Sequence, residues 1–253
     1  MSQAQSLDLT ALDSATDAAV VTDDRRAHRK TKRQTKRQQR REMRENSTQK
    51  IYDLHSSFYD ATFGRLVRTR IERAIQRMNI AADDKVLDVG IGTGTSLNYY
   101  PQDKGTIVGV DLSGGMLEQA LKKVTKQGRT NAVIGQANAL QMPFADDTFD
   151  HVFISHVITV VSDPIQLVRE AQRVAKEGAK ITIVNHFQSN NRFVGWVEKV
   201  LCPICTKIGW KSDLSLASIV DGTGIEVDYR YKLRSIDLWE TVVLTNTKSA
   251  LVA

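Results

Sequence analysis

Short apolar runs alternate with longer amphipathic stretches from Ile51 to the end of the chain. The apolar runs are rich in β-branched residues and lack polar alternation, which is typical of strands buried on both faces of a parallel sheet. They are Lys85–Gly90, Gly105–Leu112, Asn131–Ala137, Phe149–His156 and Lys180–Phe187. Helices are predicted between them, notably at Gly115–Lys126 and Pro164–Ala175, the second with proline in its first turn.

Two further strands are predicted near the C-terminus, at Ile225–Leu233 and Trp239–Asn246. A short turn joins them, so they form an antiparallel edge. Alternating strands and helices elsewhere predict helices on both faces of the sheet. The sequence therefore predicts an α/β fold with a mostly parallel, seven-stranded sheet and an antiparallel edge strand.

Charge is distributed unevenly along the 253-residue chain, whose formal net charge is +6. Met1–Asp24 has five Asp and no Lys or Arg, whereas Arg25–Lys50 has twelve Lys and Arg against two Glu, a local net of +10. Subtracting −5 and +10 from +6 leaves +1 for Ile51–Ala253. We predict a disordered extension over residues 1–50, first acidic and then polybasic. One domain is expected over residues 51–253, since roughly 200 residues suffice for a substantial core.

The polybasic segment suits either of two anionic surfaces, a nucleic acid or a membrane. No window holds the roughly 18 consecutive apolar residues of a spanning helix, and a signal-peptide pattern is missing, so a cytoplasmic location is expected. Cys202 and Cys205 are the two cysteines. A lone pair does not complete a zinc site, so we expect no metal and interpret both as small apolar residues one helical turn apart.

The most informative stretch is "VLDVGIGTGTS", in which Asp88 is followed by Gly90, Gly92 and Gly94. Glycine is needed where the chain leaves a strand and a Cβ would collide with a ligand or with the turn. The spacing differs from the G-x-G-x-x-G loop of dinucleotide binders. Asp111 ends the next strand, where it is placed to accept both hydrogen bonds from a ribose diol. Turn capping is the alternative role for both aspartates.

These residues resemble the class I S-adenosylmethionine-dependent methyltransferases, and the resemblance runs from about Tyr52 to the C-terminus. It implies a Rossmann-like fold, methyltransferase activity and S-adenosyl-L-methionine as cofactor. It also implies that the glycine loop lies under the methionine part, with Asp88 at its ammonium end and Asp111 on the ribose. The other implied cofactor-binding residues are Tyr52, in a lid helix, with Leu112, Met116, Gln136, Ala137 and Ser155.

The resemblance gives three of these residues specific roles around the adenine. Met116 packs on the ring. Gln136 stands where the family usually has Asp, and its side-chain oxygen accepts from the adenine amino group. The Ala137 N–H supplies a second contact.

The strand ends beyond the cofactor residues bear on the acceptor. Ser155, His156 and Thr159 lie where an acceptor should meet the methyl group. The N-P-P-Y motif of nucleic-acid amino-methyltransferases is missing there, so a nucleic-acid partner is not expected. Four stretches resemble the bacterial phosphatidylethanolamine N-methyltransferases: Tyr52–Asp60, His156–Pro164, Ile183–Phe187 and Ile208–Leu214. The implied substrate is a lipid, the amine of a phospholipid head group. Ornithine-lipid N-methylation remains an alternative, followed by quinone C-methylation or nucleic-acid methylation by an enzyme of a different family.

Methyl transfer to an amine needs a neutral nitrogen that attacks in line, so a base or a dry site must favour loss of its proton. His156, His186 and Tyr59 are the candidate catalytic residues around that nitrogen. Each has a structural alternative: His156 bonds only to backbone, His186 only braces the fifth strand, and Tyr59 belongs only to the lid.

The lipid resemblance assigns the polybasic segment Arg25–Lys50 to an anionic membrane surface, where each Lys or Arg contributes roughly 1 kcal/mol. A second contact is expected from Arg192–Trp210, in an insertion over residues 188–214, because tryptophan suits the membrane interface. A cap helix packed on the core is the alternative for that insertion. The enzyme is thus expected at the inner face of the cell membrane as a peripheral protein.

Overall fold

The computed structural model describes residues 67–187, 214–234, 237 and 239–248. Its elements in chain order are α1 (67–78), β1 (Lys85–Val89), a 3-10 turn (Ser96–Asn98), β2 (Thr106–Asp111), α2 (Gly114–Lys126), β3 (Ala132–Gln136), β4 (Phe149–Ser155), α3 (Pro164–Val174), β5 (Ala175–Asn185), α4 (Leu216–Thr223), β6 (Glu226–Tyr231) and β7 (Glu240–Thr245). The predictions for Tyr52, Tyr59, Arg25–Lys50, Arg192–Trp210 and the two cysteines lie outside these residues.

The strands form one seven-stranded sheet with the order β3-β2-β1-β4-β5-β7-β6. β1 to β5 are parallel, and β7 is antiparallel to both β5 and β6. The predicted α/β fold is therefore confirmed, with the antiparallel pair at the predicted edge. Strand order reverses between β1 and β4, so their carboxyl ends open a crevice of the kind in which α/β proteins bind ligands.

Two apolar layers cover the sheet, because successive strand residues face opposite sides. Val86, Phe153 and Val184 pack on one side in a cluster that includes Ile71 and Ile75 of α1. On the other side, a cluster containing strand residues such as Leu87, Val152 and Ile181 includes Leu167 and Val168 of α3 and Ile219 of α4. Together these layers fix the strands whose ends carry the candidate site.

Helix α3 begins at the predicted Pro164, and α2 begins one residue before the predicted Gly115. The Ser113 side chain accepts from the Met116 N–H at 3.2 Å, which caps α2. Asp163 caps α3 by accepting from the Gln166 N–H at 3.1 Å, and Pro164 follows in the first turn, where no donor is needed.

The start of β5 differs from the prediction, since the strand begins at Ala175, directly after α3, and not at Lys180. Of the extra residues, Lys176, Glu177 and Gly178 are exposed and only the flanking Ala175 and Ala179 are buried, so no apolar run marks the extension. Gly178 has φ +75° and its N–H donates to the Asn246 carbonyl at 2.8 Å. The Asn246 amide donates in turn to the Ala175 carbonyl at 2.9 Å. A distant asparagine therefore holds this extension in place.

Within the ranges that the structure describes, no helix combines the length and the apolar character needed to cross a bilayer.

Candidate active site

The parallel register brings the predicted cofactor residues to one edge of the sheet. Val89 of β1 lies opposite Val110 of β2, and on its other side opposite Ile154 of β4. The residues that follow these three positions therefore share the crevice at the strand reversal. Asp111 and Ser155 are among them, as the sequence predicts.

The three loop glycines all have positive φ, but for different reasons. φ is +71° at Gly90, +56° at Gly92 and +76° at Gly94. A Cβ at Gly90 would lie 2.0 Å from the Val157 side chain, and one at Gly94 would lie 2.8 Å from Leu97. At Gly92 no atom comes nearer than 3.9 Å. The protein's own packing thus demands two of the glycines, whereas Gly92 leaves open space for a ligand.

Asp111 ties the glycine loop to the start of α2. Its Oδ2 accepts from the Gly92 N–H at 2.9 Å and its Oδ1 from the Ser113 N–H at 2.9 Å. An ionised carboxylate has about four acceptor positions, so both oxygens keep capacity for ribose hydroxyls. Turn capping and the predicted ribose contact are therefore compatible, and the ribose contact stays a prediction.

Asp88 is buried beneath the loop, with 1% of its surface exposed. Its Oδ2 accepts from the Ser96 hydroxyl at 2.5 Å and from the Tyr100 hydroxyl at 3.2 Å. Burial raises the pKa of Asp88 to about 7, the two hydrogen bonds oppose this rise, and the charge of Asp111 adds to it. A cationic group nearby, such as the ammonium end of the predicted cofactor, would favour the ionised form; that contact stays a prediction.

Arg129 holds the segment that supplies these two hydroxyls. Its buried guanidinium donates to the Leu97 carbonyl and, at 2.7 Å, to the Tyr100 carbonyl. It also donates to the Pro101 carbonyl at 3.2 Å. The sequence analysis missed Ser96, Tyr100 and Arg129, because only the tertiary fold brings Arg129 under this turn.

The adenine side departs from the prediction at one residue. Gln136 Nε2 donates to the Leu112 carbonyl at 2.7 Å, which leaves the Gln136 oxygen to accept as expected. The Ala137 N–H instead donates to the Asp111 carbonyl at 3.0 Å, because the β2–β3 pairing continues past the strand ends. Ala137 is therefore not the available donor that the resemblance implied. Met116 is 4% exposed, so any contact that it makes with adenine is through a small part of its side chain.

We call the carboxyl ends of β4 and β5, where the acceptor is expected, the acceptor edge. There His156 adopts a left-handed backbone conformation, with φ +60°. This region is uncommon for residues other than glycine, and functional sites are among the places where it persists. The His156 backbone N–H donates to the Val184 carbonyl at 2.9 Å. Its ring lies edge-on to Trp239, with 6.4 Å between centroids and 75° between planes.

The pKa of His156 is lowered to about 3, first by burial and then by the positive charge of Arg70. The imidazole is therefore neutral at physiological pH. It can accept a hydrogen bond, but it is too weak a base to remove the proton from a primary ammonium efficiently. The structure thus favours positioning by His156 over storage of the acceptor proton.

The end of β5 is braced from within. The Thr159 hydroxyl donates to the Asn185 side-chain oxygen at 3.4 Å, and the Asn185 amide donates to the His186 carbonyl at 2.7 Å. His186 is only 3% exposed, in keeping with the bracing alternative for this residue. The Ser155 hydroxyl is buried and has no hydrogen-bond partner among the described residues.

Three residues that the sequence analysis missed complete this edge. Arg70 of α1 binds Asp237 with its Nη2 2.6 Å from Oδ1 and its Nε 3.0 Å from Oδ2. The Arg70 guanidinium carbon lies 4.6 Å from the ring centroid of Trp239. Trp239 directly precedes β7, whose Glu240 pairs with Asn185 at the end of β5. The sequence signal that could have pointed to this edge is the aromatic residue Trp239 directly before β7.

Comparison with known proteins agrees with this geometry. The family model described as a methyltransferase domain matches residues 87–183. The chain is 33% identical over 172 residues to a phosphatidylethanolamine N-methyltransferase from Cereibacter sphaeroides. The aligned residues cover 68% of this chain and 84% of that protein. It is 30% identical over 154 residues to a demethylmenaquinone methyltransferase from Shouchella clausii, with 57% of this chain and 66% of that protein covered.

The chain belongs to the class I S-adenosylmethionine-dependent methyltransferases. Solved structures show the same fold. A SAM-dependent methyltransferase from Aquifex aeolicus matches with a TM-score of 0.56 and 22% identity, over 70% of this chain and 89% of that one. A geranyl diphosphate methyltransferase matches with a TM-score of 0.62 and 15% identity, over 76% and 90%.

The predicted cofactor is confirmed by this membership. When bound, S-adenosylmethionine supplies an electrophilic methyl group. In this methyltransferase the open space at Gly92 and the remaining acceptor capacity of Asp111 fit such a group. The individual roles of the cofactor residues stay predictions.

Proposed function

We propose that this methyltransferase methylates the amine of a phospholipid head group, with phosphatidylethanolamine as the first substrate. The similarity to a phosphatidylethanolamine N-methyltransferase over 84% of that protein supports this substrate class. The observation that carries the proposal is the His156 ring, which lies edge-on to Trp239 and whose pKa is lowered, chiefly by burial, so that it stays neutral.

A dry site affects different acceptors in opposite ways, because burial favours the uncharged form of any group. An ammonium loses a proton to become neutral, which gives the amine its nucleophilic lone pair. A quinol hydroxyl stays protonated and needs a retained base, which His156, with a pKa of about 3, does not provide. The acceptor edge therefore favours an amine over a quinone-derived carbon.

The side chains at this edge suit the handling of an amine. The neutral His156 ring can accept a hydrogen bond from an amine N–H and so orient its lone pair. Holding two reactants in line is worth roughly 7 to 11 kcal/mol. The Trp239 ring beside His156 offers an aromatic surface to the more methylated cationic head groups of later rounds.

Quinone C-methylation remains the second candidate, favoured by the 30% identity to a demethylmenaquinone methyltransferase. Ornithine-lipid N-methylation shares the amine chemistry of the first proposal. The acceptor lipid therefore has to be identified from the products.

Incubation of the full chain with methyl-labelled S-adenosylmethionine and vesicles tests the proposal. Vesicles of phosphatidylethanolamine and phosphatidylglycerol should yield labelled mono- and dimethylated head groups by mass spectrometry. Vesicles of phosphatidylglycerol alone should give none. A folded protein that binds the cofactor but leaves the phosphatidylethanolamine unlabelled would reject this substrate.

The polybasic segment Arg25–Lys50 is proposed to hold the enzyme on an anionic leaflet at the inner face of the cell membrane, with Arg192–Trp210 as a second contact. Its local charge of +10 supports this assignment, since basic residues near anionic lipids each add roughly 1 kcal/mol. Deleting Met1–Lys50 should reduce sedimentation with phosphatidylglycerol vesicles at least tenfold at low salt. Deleting only Met1–Asp24 is the matched control. Equal sedimentation of the two deletions would contradict the membrane role.

A further inference from the structure

Arg70 connects α1 to the acceptor edge through its contacts with Asp237 and Trp239. Its guanidinium forms the forked pair with Asp237, whose side chain is 3% exposed. It lies over the ring of Trp239, 4.6 Å from the centroid. The Trp239 N–H donates to Asp237 Oδ1 at 3.1 Å, so both partners of Arg70 are also joined to each other. We call Arg70, Asp237 and Trp239 the clasp.

The clasp continues to the acceptor edge through Trp239. The Trp239 ring lies against the ring of His156, at a centroid distance of 6.4 Å. Arginine suits this position, because a planar guanidinium can stack on an aromatic face and bind a carboxylate bidentately at the same time. A lysine could supply the charge but neither the fork nor the stack.

The charge of Arg70 affects a group at the acceptor edge. Burial is the larger cause of the lowered pKa of His156, and the positive charge of Arg70 is the second. The other charged or titratable groups that the described residues bring near are Asp237 before β7, His186 after β5 and Glu240, which pairs with Asn185. Of these charged groups, Arg70 is the one whose charge lowers the pKa of His156.

We propose that Arg70 is a positioning residue for methyl transfer, which fixes Trp239 against His156 and holds a positive charge beside the acceptor nitrogen. The inference rests on the proposed amine acceptor. A fixed cation disfavours the ammonium form of an acceptor bound next to it, as it does for catalytic lysines. The acceptor then loses its proton to solvent before transfer, and no side chain has to retain it.

The test is the pH dependence of turnover with phosphatidylethanolamine vesicles, measured on full-length variants between pH 6 and pH 10. Turnover should rise with pH, and its midpoint is the pH at which it reaches half of its alkaline maximum. Arg70→Gln should raise this midpoint by about one pH unit, so that turnover falls about tenfold near neutrality and recovers at high pH. Arg70→Lys should keep the midpoint and lose turnover at every pH. Arg73→Gln, an exposed arginine on the same helix, is the matched control and should coincide with the wild type.

Asp237→Asn distinguishes a charge effect from simple disruption of the clasp. It removes the counter-charge of Arg70, so the midpoint should move down, opposite to Arg70→Gln. Cofactor affinity by calorimetry should stay within about twofold in each variant. Shifts in the same direction, or an equal loss for Arg70→Gln at every pH, would overturn the inference. If the wild type methylates a quinone and no amine, the proposed function fails, and the inference fails with it.

Discussion

The cofactor edge and the acceptor edge of this methyltransferase are built in different ways. At the cofactor edge, Asp88 and Asp111 lie on the adjacent strands β1 and β2, and Gly92 lies in the loop between them. Hydrogen bonds between residues 8 and 19 positions apart hold them in place. At the acceptor edge, Arg70 and Asp237 are 167 positions apart in the chain, and their pair is one of the contacts beside His156.

The two edges also differ in how they treat charge. The cofactor edge carries two carboxylates, which suits a cofactor with an ammonium group and a ribose. The acceptor edge keeps a buried imidazole neutral and places a cation nearby. Under the proposed function, one edge would stabilise the positive charge of the cofactor, whereas the other would promote loss of a proton from the acceptor.

Substitution of two neighbouring glycines breaks the cofactor edge in two distinct ways. Gly90→Ala should destabilise the fold by about 3 kcal/mol or more, because its Cβ meets Val157 and positive φ disfavours alanine. Gly92→Ala should cost about 1 kcal/mol and lower S-adenosylmethionine affinity more than tenfold, since its Cβ enters the open space. Urea unfolding and calorimetry measure the two effects. Equal stability losses would contradict the distinction.

Asp88→Asn tests the buried charge at the cofactor edge. Because the folded pKa of Asp88 is about 7 and its ordinary value is 3.8, the folded state binds the extra proton between these values. Its contribution to stability is present below pH 4 and is lost as pH rises through 7. The free energy of unfolding of the variant relative to wild type should therefore rise by about 3 kcal/mol from pH 5 to pH 8.

Urea unfolding at both pH values measures this difference. Asp103→Asn, at an exposed position, is the control and should show no such trend. A constant difference between Asp88→Asn and wild type would show that the buried carboxyl is ionised throughout.

At the acceptor edge, His156→Ala should lower turnover by about 10²-fold and cofactor affinity by less than about threefold, because we propose that the ring orients the acceptor amine. His156→Gly removes the same ring but tolerates φ +60°. Similar turnover losses in both variants would assign the effect to the imidazole. Wild-type turnover in His156→Gly would exclude a role in transfer.

Asp111→Ala gives the smallest expected effect, a loss of S-adenosylmethionine affinity of at least about tenfold with a modest loss of stability. The carboxylate supplies acceptors for the ribose while it also orders Gly92 and Ser113. Asp111→Asn keeps the size and should retain part of the affinity. Unchanged affinity by calorimetry in Asp111→Ala would remove the ribose assignment.

The cofactor edge and the acceptor edge also differ in how much of each could be predicted from the sequence. The strands, the caps at Ser113 and Asp163 and the glycine loop are encoded by neighbouring residues, so local patterns reveal them. The extension of β5 before Lys180 was missed because Asn246, far along the chain, holds it. The Ala137 N–H was misassigned because residue type does not reveal where backbone pairing ends.

The acceptor edge was less predictable. His156 was found because it follows a strand, but its neutral state depends on burial and on Arg70, which no local pattern contains. The clasp joins elements from the two ends of the domain, so only the folded sheet brings it together.

The most direct measurement is a competition in one reaction vessel. The full chain is incubated with labelled S-adenosylmethionine and vesicles that contain equal amounts of phosphatidylethanolamine and demethylmenaquinone. Mass spectrometry should find the label on the head-group nitrogen, with turnover that rises as pH increases through the midpoint of the amine. Label on the quinone ring, with the amine left unmodified, would contradict the account.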